Sequence, residues 1–290
     1  MIGSSERTRS TLKVILLGTG SPIPNPERAG PATLVRTSTD NILFDCGRGV
    51  VMRLAKAGVI PPMLSGVVLT HLHSDHVCDL NDVITTHWIM NSVPSALRIM
   101  GPRGTKEFVD ATLVALALDV GYRLAHHADL THGPLVDVLE VDAGSSFTLG
   151  QHDILSGATD HRPVAPTLAY RLSEGEQSVV IAGDGVPCAS LDALVRGASA
   201  YVQTVVRPEL VEQIPSPRLQ DILDYHSSVE QAADTAQRAG VKALMLTHMV
   251  PPPTPGSDDE WRALASSFKG TVVIGDDLTS LDLGTMTVTP

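Results

Sequence analysis

The sequence predicts an α/β protein of two mixed halves, its β-sheets packed face to face and its helices outside. Three observations carry that expectation. Short apolar segments with strand character crowd the first half, a mix of strands and helices follows, and the rough pattern recurs in the second half. No stretch rich in Pro, Gly or Ser divides the halves, so residues 1–290 are expected to form a single domain. With 43% hydrophobic and 18% charged residues over 290 positions, the chain can bury a sizeable core. Only 3% is aromatic, so that core rests on Val, Leu, Ile and Ala.

After a polar stretch, Met1 to Leu12, read as a flexible tail, Thr11–Leu17 alternates and then runs apolar. That strand ends in Gly18-Thr19-Gly20, and Ser21 to Gly30, with Pro22, Pro24 and Pro26, is loop. Strands at Ala32–Thr37 and Asn41–Asp45 are joined by the turn Ser38-Thr39-Asp40. Gly49–Ala57 has helical spacing, Gly66–Thr70 is a short strand aimed at a histidine cluster, and Leu80–Met90 is the next helix. Ala96–Met100 reads as strand and Gly104–Leu118 as a helix begun by Thr105 with Glu107 close behind. Strands follow at Leu139–Asp142, Ser146–Leu149, Asp153–Ala158, Thr167–Leu172 and Ser178–Ala182. The chain then turns to helix at Ser228–Ala239 and to strand at Ala243–Leu246 and Thr271–Ile274.

Several classes are excluded at this level. No apolar run reaches the roughly 18 residues that span a bilayer, and the polar start has no signal-peptide core, so a cytoplasmic protein without a membrane partner is expected. Cys46, Cys78 and Cys188 are odd in number and widely spaced, which suggests neither a disulfide framework nor a Cys-rich zinc site. The 21 Lys and Arg against 32 Asp and Glu give a net charge of −11, which repels a polyanion at long range and weighs against nucleic acid. Gly18-Thr19-Gly20 lacks the spacing of a nucleotide-binding loop, and there is no G-x-S-x-G.

The chemistry concentrates in His71-Leu72-His73-Ser74-Asp75-His76. In extended chain, residues two apart share a side, so His71, His73 and Asp75 converge while Leu72 faces the core. His76 joins them as the chain turns. Three imidazoles and a carboxylate exceed what one tetrahedral zinc takes from a single loop, which invites a two-metal site completed from elsewhere. Candidates for completion stand at strand ends: His161 after Ile154–Ala158, Asp184 in Ala182-Gly183-Asp184-Gly185, and His248 after Leu244–Thr247.

This set, in this order, resembles the metallo-β-lactamase superfamily, whose motif is H-x-H-x-D-H followed by a distant His, then Asp, then His. Within it the chain is similar to the ribonuclease Z branch with its related arylsulfatases and phosphodiesterases. Leu16 to Pro22 and Leu43 to Gly47 resemble its opening strands, and Asp224-Tyr225-His226-Ser227-Ser228 and Leu246-Thr247-His248 its closing motifs. The resemblance spans about residues 13 to 250. It implies an αββα sandwich with two divalent metal ions at one edge, zinc first, with manganese or iron as alternatives. One ion would be held by His71, His73 and His161, the other by Asp75, His76 and His248, with Asp184 bridging. A hydroxide shared by cations roughly 3.5–4 Å apart is a ready nucleophile at neutral pH.

Asp75 and His226 are the expected catalytic residues; His226 would protonate the leaving group or stabilise an oxyanion, and its bland alternative is packing near the helix start. Asp45 is expected to support the metal loop by hydrogen bonding. His126, His127 and His132 are read as solvated surface, with a place at the pocket mouth as the alternative. Trp88, Met90, Met249, Val250 and the Pro251–Pro253 loop are the expected pocket lining.

For the substrate, ribonuclease Z enzymes commonly carry a long tRNA-gripping arm between the positions matched here by His161 and Asp184. Those residues are only 23 apart, so the arm is absent. Asp184 is followed by Gly185 where that branch prefers Thr, and His248 by Met249 and a proline run. The favoured expectation is therefore a small-molecule hydrolase cleaving a carboxylic ester, lactone, sulfate ester or phosphodiester, with no nucleic-acid partner. A tRNA 3′-processing endoribonuclease comes second and a non-catalytic metal-binding module third. A homodimer is left open.

Overall fold

The computed structural model describes residues 12–290. The expected tail, residues 1–11, lies outside the described residues; Leu12, counted with it, is buried and its carbonyl accepts from the Leu283 amide at 2.9 Å.

The expected pair of packed mixed sheets is present. In the first, β1 (Lys13–Gly18) runs antiparallel to β2 (Ala32–Arg36), which forms a hairpin with β3 (Asn41–Phe44). β4 (Gly66–Val68), β5 (Leu97–Gly101) and β6 (Val136–Glu140) continue in parallel from β3. In the second, β7 (Ser146–Leu149), β8 (His152–Ala158), β9 (Leu168–Glu174) and β10 (Gln177–Ile181) are antiparallel neighbours, and β11 (Ala200–Val206), β12 (Ala243–Val250) and β13 (Thr271–Ile274) extend them in parallel. The chain returns to the first sheet as β14 (Ser280–Asp282), beside β1, and β15 (Thr287–Thr289).

Leu16, Phe44 and Val68 of one sheet meet Tyr170, Val179 and Met245 of the other in a shared core. Each such side chain contributes on the order of 1.5–3 kcal/mol by leaving water. On the outer face of the first sheet lie α1 (Val50–Lys56), α2 (Ser74–Val77), α3 (Leu80–Met90) and α4 (Thr105–His126). The second sheet is covered by α5 (Ala189–Val195), α8 (Val229–Ala239) and α9 (Asp258–Leu264). The short α6 (Pro208–Val211) contributes Val211 to a smaller cluster with Val206 and Val250, and α7 (Pro217–Gln220) leads into the turn whose Ile222 and Leu223 pack against that cluster. α8 starts with a reciprocal capping box between Ser228 and Gln231 and stops at Gly240 in the left-handed region (φ 69).

The sequence reading did not foresee α2, α5, α6, α7, α9, β14 or β15, and four further elements differ from expectation. β11, wholly buried, carries Gln203 and Thr204 and so lacks an apolar signature; both polar side chains are satisfied by hydrogen bonds to the Gly183 carbonyl. α4 runs eight residues past Leu118, and β6 begins at Val136 rather than Leu139. β12 continues to Val250, so that His248 lies inside the strand. There, Thr204 pairs with Thr247 but Val206 with Val250, leaving one residue opposite two, and His248 takes φ 47. Such a bulge turns a side chain out of the regular alternation.

Candidate metal centre

β3, β4 and β5 are parallel, as are β10 to β13, and the loops leaving their carboxyl ends meet where the two sheets touch. The Leu168 amide donates to the Thr70 carbonyl at 2.9 Å, and the Tyr170 hydroxyl to the Leu69 carbonyl at 2.9 Å, so β9 clamps the start of the histidine loop. Gly183 (φ 65) lies against Thr70, where a Cβ would come within 2.7 Å of the threonine's own Cβ; only glycine lets the Asp184 loop approach this closely.

Asp45 organises the first loop, as expected. It accepts from the Thr70 amide and the Thr70 hydroxyl, both at 2.8 Å, and from His76 Nδ1 at 2.8 Å. Because the Thr70 hydroxyl donates to Asp45, it accepts from His71 Nδ1 at 3.0 Å. His161 Nδ1 donates to the Tyr225 carbonyl at 2.9 Å, and His226 Nδ1 to the Ile222 carbonyl at 3.0 Å. Each bond assigns the proton to Nδ1 and leaves Nε2 facing the centre.

The structure brings all seven candidate ligands together. The ligand atoms of His71, His73, His161 and Asp184 lie within 4.8 Å of one another, as do those of Asp75, His76 and His248. Asp184 stands between the sets: its Oδ2 is 3.8 Å from His71 Nε2 and from His161 Nε2, 3.5 Å from His76 Nε2 and 3.7 Å from His248 Nε2. His226 Nε2 approaches the same oxygen at 3.2 Å. His71 Nε2, His76 Nε2 and Asp184 Oδ1 are buried with no hydrogen-bond partner. Orphaned polar atoms cost roughly 1–3 kcal/mol each unless something fills the space between them, and imidazole with carboxylate is a donor set that suits a divalent transition metal. The residues fit two such ions.

Electrostatics agree with a cation site. Burial holds His71, His73 and His161 below the usual imidazole range, in the neutral form that ligates. Burial would do the same to His76 and His248, but the Asp184 carboxylate and their other acidic neighbours, Asp45 and Asp75 respectively, outweigh it and raise both. Burial would raise Asp184 and Asp75, yet the surrounding imidazoles keep both ionised.

A cavity of about 110 Å³ opens on this cluster, walled by Ser21, Pro22, Ile23, Leu219, Ile222 and Val250 beside His73, Asp75, Asp184, Tyr225, His226 and His248. Of the expected lining only Val250 is there. Met249 is buried in the core under the second sheet, Met90 is half exposed, and Trp88 donates to the His132 carbonyl in a separate cleft. Pro251 and Pro252 do not line the cavity either, and Pro253 borders a different one. His126 and His127 are exposed at the end of α4. Ser21, Ile23 and Tyr225 were missed as lining, although the stretches holding Ser21 and Tyr225 stood out in the sequence; the proline-rich loop and the turn before α8 give no periodic signal that says which way a side chain points.

The family described as the Beta-lactamase superfamily domain matches residues 40–249. Proteins named Ribonuclease Z are similar across the chain: one from Mycobacterium bovis is 53% identical over 270 residues, covering 92% of this chain and 96% of its own length, and one from Mycobacterium avium is 56% identical with the same coverage. The chain therefore belongs to the metallo-β-lactamase superfamily of metal-dependent hydrolases, in its ribonuclease Z branch. Among solved structures, human tRNase Z, short form, shares the fold with a TM-score of 0.68 at 21% identity, covering 93% of this chain and 99% of that one. The metallo-β-lactamase fold protein YhfI from Bacillus subtilis gives 0.74, also at 21%, covering 94% and 99%.

These findings overturn the expected small-molecule ester hydrolase and the exclusion of nucleic acid. The short interval between His161 and Asp184 does not separate this chain from ribonuclease Z, because relatives of that name are matched over 96% of their length and leave little room for a long arm. The net charge misled because it averages over the whole surface. Beside His73 the centre opens into a wider cavity of about 580 Å³ bordered by Arg162 and Arg218 together with Asp221 and Asp224, so the local field is not that of the molecule as a whole.

Proposed function

We propose that the protein is an endoribonuclease that cleaves precursor tRNA at its 3′ side. The observation that carries this reading is the identity of more than half the residues with proteins named Ribonuclease Z across 92% of the chain. Under it, His71, His73 and His161 would hold one metal ion and Asp75, His76 and His248 the other, with Asp184 available to both, and zinc is the first metal to test, manganese or iron next. When bound, such ions lower the pKa of water and neutralise the charge that builds on a phosphodiester. Asp75 serves also as the carboxylate that takes a proton from the attacking water. With Nδ1 of His226 committed to Ile222, the face this residue offers substrate is Nε2; in the doubly protonated ring, which Asp184 Oδ2 at 3.2 Å stabilises, the Nε2 proton passes to the leaving oxygen and leaves the ring neutral.

We read the whole chain as one domain, since both sheets share a core, and place it in the cytoplasm, where precursor tRNA is made in bacteria. Incubation of the zinc-loaded protein with precursor tRNA carrying a 3′ trailer tests the reading. Cleavage at the base of the trailer is expected; no cleavage with zinc, manganese or iron would overturn it.

A further inference from the structure

We propose that the ring of Tyr225 is the surface on which a nucleobase next to the scissile linkage stacks. The proposal rests on the ribonuclease reading above and names a substrate-positioning residue for it.

Tyr225 borders both the cavity of about 110 Å³ and the wider opening of about 580 Å³, so it stands where a strand crossing the metal centre passes from one to the other. His73 is shared by the same two spaces, which puts the passage over the candidate ligands. The chain has ten aromatic residues, counting 2 Trp, 4 Tyr and 4 Phe. The other nine lie in the cores or on α3 and α4, so Tyr225 is the aromatic side chain, histidines apart, that lines either space.

The ring is held in advance. It meets His161 edge-on at 5.2 Å between centroids and 76° between planes, and His226 at 4.9 Å and 46°. His161 is tied in turn to the Tyr225 carbonyl. The side chain is half-buried, and among the described residues none hydrogen-bonds its hydroxyl. A pre-set ring loses little entropy on binding. Stacking also suits a flexible RNA end, because each base offers a π-face whatever its sequence. The walls nearby, Ile222 and Leu219, are apolar and accommodate a base better than a phosphate.

The test compares the wild type, Tyr225→Phe and Tyr225→Ala on synthetic precursor RNAs that are intact or carry one abasic nucleotide on either side of the scissile linkage. With intact RNA, Tyr225→Ala is expected to lower kcat/KM roughly five- to hundredfold, from the usual strength of base–aromatic stacking, and Tyr225→Phe to stay within about twofold since the ring remains. With the abasic nucleotide on one flank, the wild type should fall by a similar factor and Tyr225→Ala no further. Metal content and Tm of both variants should match the wild type. The proposal is overturned if Phe is as damaging as Ala, if the Ala and abasic losses multiply on both flanks, or if Tyr225→Ala loses metal. A wild type that cleaves none of the intact precursors overturns the ribonuclease reading and this proposal together; one that cleaves them without coupling overturns this proposal alone.

Discussion

Asp45 adopts a left-handed backbone conformation, φ 61, at the end of β3, and the strain is offset by what its carboxylate holds: the Thr70 amide and hydroxyl and His76. Removing it should loosen a loop that carries four candidate ligands. Asp45→Ala is expected to weaken metal retention about 10–100-fold, read as metal content after dialysis against graded chelator; retention equal to wild type would remove Asp45 from that role. His226 makes the opposite prediction. It touches Asp184 and could form a third group with Asp184 and His248, but both of those are already placed in the two sets described above, so His226→Ala should keep the metal and lose turnover by about 10²–10⁴-fold, the usual size of general acid catalysis. Loss of metal along with activity would instead make it a ligand. At this scale the sequence was legible where local alternation governs, as for His71 and His73 on one extended segment; Asp75, expected to continue it, instead reaches the centre with His76 from the short helix α2 that His73 opens. Tyr225 and Ser21 escaped because which loop side chain lines a cavity depends on the far wall, not on neighbours along the chain.

Hairpin turns, rather than strands, tie the two sheets together at the end remote from the metal centre. Asp40, in the turn between β2 and β3, accepts from the Ser65 hydroxyl, from Thr39 and from the Gln151 amide, and lies 3.4 Å from His152 Nε2. Burial would raise its pKa, but the bonds from Ser65, Thr39 and Gln151 and the nearby His152 outweigh it, and the carboxyl titrates below its ordinary value of 3.8. A carboxyl depressed on folding contributes stability above its unfolded pKa and loses it as pH falls through the folded one. Asp40→Asn should therefore cost about 1–3 kcal/mol at pH 7, and the gap in Tm from wild type should shrink below about pH 4; a gap that stays constant with pH would assign the cost to packing alone. Opposite it, Gly150 (φ 59) leaves no space, since a Cβ would fall 1.9 Å from Asp40 Oδ1. Strand and helix identities were largely readable from period and turn residues, Leu80–Met90 and Ser146–Leu149 to the residue. β11 was not, because a strand buried on both faces in the middle of a parallel sheet tolerates Gln203 once Gly183 and Thr204 satisfy it.

Among the described residues, the outer side of α4 carries a run of exposed apolar side chains. Val114, Leu118 and Tyr122, one turn apart, are 76%, 73% and 70% exposed, more than an isolated surface residue needs. The stripe is symmetric about Leu118, so a second copy laid antiparallel would set Val114 against Tyr122 and Leu118 against itself, as an isologous two-fold contact requires. A dimer is expected in sedimentation, and Leu118→Glu should give a monomer that keeps its metal; a monomeric wild type would sink the contact.

The sequence by itself determined the class of fold and singled out seven candidate ligands, because alternation, strand length, the H-x-H-x-D-H spacing and the strand-end places of His161, Asp184 and His248 can be read without coordinates. Tertiary structure decided the rest. It brought residues as distant as Asp75 and His248 within 3.1 Å, turned His248 inward through a bulge that no periodicity announces, and placed Arg218 and Tyr225 at the opening of a molecule whose net charge is −11. Charge and composition are averages over the chain, whereas a substrate meets only the few groups that packing gathers at one edge.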